Sequence, residues 1–199
     1  MPTTYTHYRF GHDVMRRLNP RYHQVIESYQ ELFDAGLHGP DLLFYYHALS
    51  GNDVIRLGNQ LHRETGRSFF EHAGEIVKMG TSGAHIAYVF GFLCHFALDR
   101  TAMKEFIRYL DLLICGSDIK RNTIYKALDL AHQKGFKDLI FCKEPIPACE
   151  KSNQDLAAIY EASIDDAVRL IQEYPATIAG KKPWNELYLY NFEGELLSD

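Results

Sequence analysis

The chain has 199 residues, 46% of them hydrophobic and 24% charged, and carries a net charge of −5. This length fits one domain spanning residues 1–199 with a sizeable core, and the composition excludes a disordered or collagen-like protein. A nucleic-acid partner is not expected, because the Lys and Arg residues are scattered rather than clustered into a basic patch.

Hydrophobic residues recur mostly at helical spacing and alternating strand patterns are scarce, which predicts an all-α fold, a multi-helix bundle. In chain order, helices are predicted over residues 10–18, 20–36, 53–77, 84–115, 119–133 and 155–174. Pro20 suits the first turn of the second helix, where its missing N–H is not needed. Residues 41–49 are predicted to be an aromatic-rich connection and residues 80–83 a loop. The fourth helix is the most apolar, and we expect it to be central.

The longest near-apolar stretch, residues 84–98, is shorter than the ~20 residues that cross a bilayer, so no transmembrane segment is predicted. The amino-terminal residues lack the charged start and apolar core of a secretory signal, which favours a cytoplasmic protein. The four cysteines have no Cys-x-x-Cys spacing and are expected to be reduced. The sequence does not indicate an oligomeric state.

Histidine is unusually concentrated in the first half of the chain, where nine of the ten histidines lie within the first 95 residues. It is also the commonest metal ligand in proteins. His95 and Asp99 are four positions apart, so they lie on one face of the predicted fourth helix. An imidazole and a carboxylate can bind one zinc ion, whereas a simple His–Asp hydrogen bond inside the bundle is the alternative interpretation.

Three other segments supply further candidate ligands. His7 precedes the first predicted helix, Asp41 follows a Gly-Pro turn that can aim its carboxylate, and His62 lies on an amphipathic helix ahead of two phenylalanines. Together with His95 and Asp99, they give five nitrogen and oxygen ligands from four elements, which is a donor set that suits zinc.

In their order and surroundings, these segments resemble the zinc-dependent phospholipase C family, especially its short bacterial members. The resemblance rests on residues 4–11 (T-Y-T-H-Y-R-F-G), 36–46 (G-L-H-G-P-D-L-L-F-Y-Y), 61–70 and 91–99 (G-F-L-C-H-F-A-L-D). It covers the chain up to about residue 110. The resemblance implies a helical bundle of the phospholipase C type, divergent or degenerate after that point.

The resemblance also implies a ligand set and a reaction. Asp41, His62, His95 and Asp99 would hold one zinc ion, and Asp99 would bridge to a second ion that His7 also binds. The implied activity is metal-dependent hydrolysis of a small phosphate ester or of a phospholipid head group. Asp41 would also act as the catalytic general base.

One departure from the family pattern bears on activity. Relatives carry a further histidine after the His-x-x-x-Asp pair and a later His-x-x-x-Glu, which together bind a third zinc ion. Met103 stands at the first of these positions here, and no His-x-x-x-Glu follows it. Two zinc ions are therefore expected and the third site is expected to be missing, which predicts weak hydrolysis of simple esters and poor turnover of intact phospholipid.

The sequence leaves further candidate site residues and alternative interpretations of function open. His38 in the Gly-Pro-Asp segment and His47 just after it are further candidates for lining the site. The His12-Asp13 doublet is typical of another class of metal-dependent hydrolases, but that class needs a histidine on a preceding helix, and only a short segment precedes His12. The alternative to an enzyme is a non-catalytic helical protein that keeps a metal site, or its remnant, for binding or interaction.

Overall fold

The computed structural model of the chain describes residues 4–47, 51–80, 82–114 and 150–197. Within these ranges the all-α prediction is confirmed. The α-helices are α1 (Thr4–Met15), α2 (Pro20–Ser28), α3 (Gln30–Leu37), α4 (Asp53–Arg63), α5 (Gly66–Met79), α6 (Ala84–Ile114) and α7 (Glu150–Ile178). Short 3-10 helices cover Gly39–Tyr45 and Glu186–Leu189. The helix predicted at residues 119–133 lies outside the described ranges.

The central position predicted for the most apolar helix is confirmed. Every residue from 91 to 100 of α6 is buried, and α1, α2, α3, α5 and α7 all contact this helix. Burial of each large apolar side chain contributes roughly 1.5–3 kcal/mol. The apolar contacts between α6 and the helices around it therefore dominate the stability of the bundle. The largest fully buried apolar side chains include Phe10, Phe33, Phe70, Phe90, Phe96, Leu93 and Ile164.

Two helices were predicted as continuous, and this was wrong because each is broken into two. The predicted helix 20–36 breaks at Tyr29, whose φ of −139° and ψ of 42° leave helical geometry. The predicted helix 53–77 breaks before Thr65, whose extended backbone and side chain cap the start of α5 by accepting a hydrogen bond from the Ser68 N–H at 3.2 Å. The first helix begins at Thr4 rather than at residue 10, which places His7 inside it.

The residues after α7 fold back onto the junction between α4 and α5. Isolated β-bridges pair Thr65 with Asn191 and Tyr190 with Leu196, and no larger sheet forms among the described residues. This return brings the end of the chain next to the last turn of α4. None of the described helices combines the length and the apolar character that crossing a membrane requires.

Candidate metal centre

The five predicted ligand residues meet at one place in the bundle. α1 contributes His7, the first 3-10 helix contributes Asp41, and the last turn of α4 contributes His62. His95 and Asp99 project from the middle of α6. Their exposed fractions are 1% for His7, 9% for Asp41, 3% for His62 and 0% for the α6 pair. Five titratable side chains are thus gathered almost entirely out of contact with solvent.

Asp99 lies between the histidines, and its two oxygens face different partners. Its Oδ1 is 3.2 Å from Nε2 of His7, and its Oδ2 is 3.1 Å from Nε2 of His95 and 3.8 Å from Nε2 of His62. Nε2 of His62 is also 3.3 Å from Oδ1 of Asp41. Two groups of ligand atoms, each within 4.8 Å of one another, can therefore hold a metal ion: His7, His95 and Asp99, and Asp41, His62 and His95.

The atoms that face this centre fit a cation. Among the described residues, no hydrogen-bond partner is found for the buried Nε2 atoms of all three histidines, for Oδ1 of Asp41 or for either oxygen of Asp99. Leaving such atoms unpaired in a protein interior is costly, whereas a metal ion satisfies nitrogen and oxygen lone pairs together. Tetrahedral zinc with bonds of ~2.0–2.1 Å places its ligand atoms roughly 3.3–3.4 Å apart. The closest separations observed, 3.1–3.3 Å, approach that spacing.

Backbone carbonyls fix the ring orientation of two of the histidines. Nδ1 of His62 is 2.7 Å from the Gly58 carbonyl oxygen, and Nδ1 of His95 is 3.1 Å from the Leu37 carbonyl oxygen. Because a carbonyl only accepts, the proton of each neutral imidazole lies on Nδ1 and the lone pair lies on Nε2, which faces the centre. Such outer contacts orient metal-binding histidines and raise their basicity.

Close packing of α3 against α6 brings Leu37 to His95. A side-chain carbon on Gly36 would overlap a backbone carbonyl of α6, and one on Gly91 would overlap a backbone carbonyl of α3. Glycine at both positions lets the two helices approach at backbone distance. Gly91 is one helical turn before His95, so α3 and α6 approach each other closely next to the metal centre.

The Gly-Pro turn aims Asp41 as the sequence predicts. Gly39 has a φ of +50°, a conformation that favours glycine, and a side-chain carbon there would come within 2.5 Å of the His95 ring. Pro40 then restricts the backbone, and the Asp41 N–H donates to the His38 carbonyl at 3.1 Å. Glycine is therefore required at position 39 both by the positive φ and by the lack of space for a side-chain carbon.

Burial and neighbouring charges shift the pKa values of the buried ligand residues in different directions. Burial disfavours the Asp99 carboxylate, but His95 and His7 outweigh it and hold the pKa of Asp99 well below its usual value. Burial likewise opposes protonation of His95 and His62, yet Asp99 raises the pKa of His95, and Asp41 with the Gly58 carbonyl raises that of His62. Burial, reinforced by His95, lowers the pKa of His7.

We expect the zinc affinity of the metal-free protein to rise between about pH 6 and pH 8, because zinc must displace protons from its ligands. The pKa values of His62 and His95 are raised above 6.5, so these imidazoles hold protons that compete with zinc until the pH exceeds the raised values. Competition with a chromophoric chelator at several pH values would measure this. The variant His12→Ala, which removes a histidine paired with Asp34 outside the centre, should keep the same slope. A pH-independent affinity would contradict the prediction.

The remaining predicted site residues lie apart from these ligand groups. His38 ends α3 and is half-buried. His47 is exposed, has a φ of +46° and packs its ring against Tyr46 at 4.5 Å between centroids. Neither belongs to the two groups of ligand atoms found among the described residues. The side chain of Met103 lies outside the described part of the chain, so the expectation of a missing third site stays a prediction.

The sequence did not predict that the carboxyl-terminal residues contribute to the metal centre. Phe192 is 1% exposed and packs against the rings of His62 and His95, with centroids 5.8 and 6.2 Å apart. The next residue, Glu193, is half-buried, and burial together with Glu195 raises its pKa. No local pattern links these residues to the amino-terminal half.

The fold and the site together define the class: an all-α protein with a buried His/Asp centre that can hold a metal ion. Comparison of the chain with protein-family models, with curated proteins and with solved structures gives no match. The resemblance to the zinc-dependent phospholipase C family therefore rests on the four sequence segments, and the candidate centre rests on its own geometry.

Proposed function

We propose that the protein is a zinc-dependent hydrolase of phosphate esters, related in its site to the zinc-dependent phospholipase C family. The observation that carries the proposal is Asp99, a buried carboxylate whose two oxygens face different histidines. A carboxylate shared between two ligand sets suits a pair of ions that act together on a phosphate ester. A structural zinc site, by contrast, is closed by four ligands of its own.

The two ligand sets are unequal. The hydrogen bond from Nδ1 of His95 to Leu37 leaves this residue one ligand atom, so it can serve only one of two ions. Asp41, His62, His95 and Oδ2 of Asp99 would then complete one four-ligand set. His7 and Oδ1 of Asp99 would hold the other ion, and because they supply only two ligand atoms they would leave room for water and for substrate.

The chain's own residues supply orientation and proton transfer. Zinc ions bound at these ligands would polarise a phosphoryl oxygen and make a water molecule acidic enough to ionise near neutral pH. Asp41 is the most exposed of the five residues, so the proposed route of substrate to the centre passes this carboxylate. Asp41 is also the proposed general base, which accepts the proton of the attacking water.

Metal content and hydrolysis should change together. We expect elemental analysis of protein purified without added metal to find zinc, and we expect a chelator to abolish hydrolysis of an activated phosphodiester such as bis(p-nitrophenyl) phosphate. Zinc at 100 times its Kd should stabilise the fold by about 2.7 kcal/mol and raise Tm by roughly 5–10 °C. Phosphodiester hydrolysis that persists at full rate in metal-free protein would rule out the proposal.

One observation favours a second function, a non-catalytic metal-binding protein. Four of the five ligand residues are no more than 3% exposed, which leaves a substrate little access to the centre. Stoichiometric zinc and a zinc-dependent Tm, without hydrolysis of any phosphate ester, would establish this structural role instead.

A further inference from the structure

The carboxyl-terminal residues are bonded directly to the element that carries a candidate ligand. The N–H of Phe192 donates to the backbone carbonyl of His62 at 3.2 Å, and the N–H of Gly66 donates to the carbonyl of Tyr190 at 2.9 Å. His62 is in the last turn of α4, where carbonyl groups have no partner within the helix. The end of the chain supplies that partner.

A tight turn presents Phe192 to the centre. The N–H of Gly194 donates to the Asn191 carbonyl at 3.1 Å, and the Asn191 side chain accepts from the N–H of Glu195 at 2.8 Å. Gly194 has a φ of +78°, which favours glycine. Asn191 is 1% exposed, so this turn is packed against the rest of the fold.

The ring of Phe192 packs beside two of the candidate ligand imidazoles and contacts both. Its centroid is 5.8 Å from that of His62, 6.2 Å from that of His95 and 4.9 Å from that of Phe96. The two imidazoles are themselves 6.1 Å apart and inclined at 71°. One apolar side chain therefore limits the rotation of both histidines and shields one side of them from water.

We propose that Phe192 is a positioning residue of the metal centre, and that docking of the turn at residues 191–194 and occupancy of the metal site stabilise one another. The inference rests on the metal binding proposed above, and it adds Phe192 as a residue that supports the ligands of that site. Coupling of this kind is reciprocal: whatever factor the docked turn adds to zinc affinity, zinc adds to the docking of the turn.

The test compares two phenylalanines that are both almost completely buried. Phe192→Ala is expected to weaken zinc binding by about 10–100-fold, the usual effect of removing a group that supports metal ligands. Phe90 is also fully buried on α6, but it packs against Tyr22 rather than against a ligand. Phe90→Ala should therefore lower Tm without a comparable loss of zinc affinity. Competition with a chromophoric chelator, with zinc alone as the probe, measures each affinity.

Two further measurements separate positioning from general destabilisation. Phe192→Leu keeps most of the apolar volume and should recover most of the lost affinity. In the wild-type chain, zinc should slow amide hydrogen exchange at residues 190–197, and this slowing should be smaller in Phe192→Ala.

The outcomes distinguish this inference from the function on which it rests. Wild-type affinity in Phe192→Ala, or an equal loss in Phe90→Ala, would overturn the positioning role while leaving zinc binding intact. Exchange at residues 190–197 that does not respond to zinc would overturn the coupling. A wild-type chain that binds no zinc would overturn both the inference and the proposed function.

Discussion

Asp99→Asn is expected to lower zinc affinity by more than about 100-fold, beyond the range seen when only supporting groups are removed. Asp99 is fully buried, and among the described residues it is the one carboxylate that lies within 4 Å of the Nε2 atoms of all three histidines, His7, His62 and His95. An asparagine of the same shape removes the negative charge and replaces one acceptor oxygen with a donor group. Both ligand sets lose a member, so hydrolysis of an activated phosphodiester should also be abolished.

The chain offers a matched control for this substitution. Asp34 also pairs with a histidine, its Oδ1 lying 3.0 Å from Nε2 of His12, but this pair lies outside the centre and is partly exposed. Asp34→Asn should therefore keep wild-type zinc affinity and hydrolysis. Far-UV circular dichroism would show whether each variant keeps its helix content. Zinc binding that is unchanged in Asp99→Asn would rule out the proposed centre.

The part of the site that lies on α6 could be predicted from the sequence, because its information is local. An apolar stretch at helical spacing predicts a buried helix, and its observed first residue, Ala84, agrees with the predicted start. The spacing of His95 and Asp99 then places two polar groups on one face of that helix. Their closest atoms are 3.1 Å apart in the structure.

The helix breaks required different kinds of information. The end of α4 could have been recognised, because Thr65 followed by Gly66 is a capping residue ahead of a new helix. The break at Tyr29 has no such signal. It arises where α3 turns to pack closely on α6 through Gly36, which is a tertiary requirement that helical propensity does not contain.

The supporting contacts of the centre could not be predicted, because they join residues far apart in the sequence. The Leu37 carbonyl reaches His95 only after α3 has packed on α6, and Phe192 reaches His62 only after the end of the chain has returned to α4. Neither residue type has a metal-binding signature. The ligands follow local rules of spacing, whereas the groups that orient them follow from packing.

The dependence of the centre on packing leads to the second large effect. Gly91→Ala should destabilise the protein by roughly 1–3 kcal/mol, the usual cost of overpacking, although alanine is favoured over glycine by about 1 kcal/mol in an unhindered helix. The new methyl group would overlap the Phe33 carbonyl oxygen and lie 2.9 Å from the Leu37 backbone nitrogen. Backbone atoms cannot rotate away as a side chain can, so α3 must move off α6.

Movement of α3 would also reach the metal centre, because the Leu37 carbonyl that orients His95 belongs to this helix. We therefore expect Gly91→Ala to weaken zinc binding about 10–100-fold as well as to lower Tm. Gly51→Ala is the control, since a side-chain carbon there meets no atom of the described residues within 4 Å. Gly36→Ala strains the same contact from α3 and should reproduce both losses. If Gly91→Ala kept the Tm and zinc affinity of Gly51→Ala, close approach of these helices would not be what sets the orientation of His95.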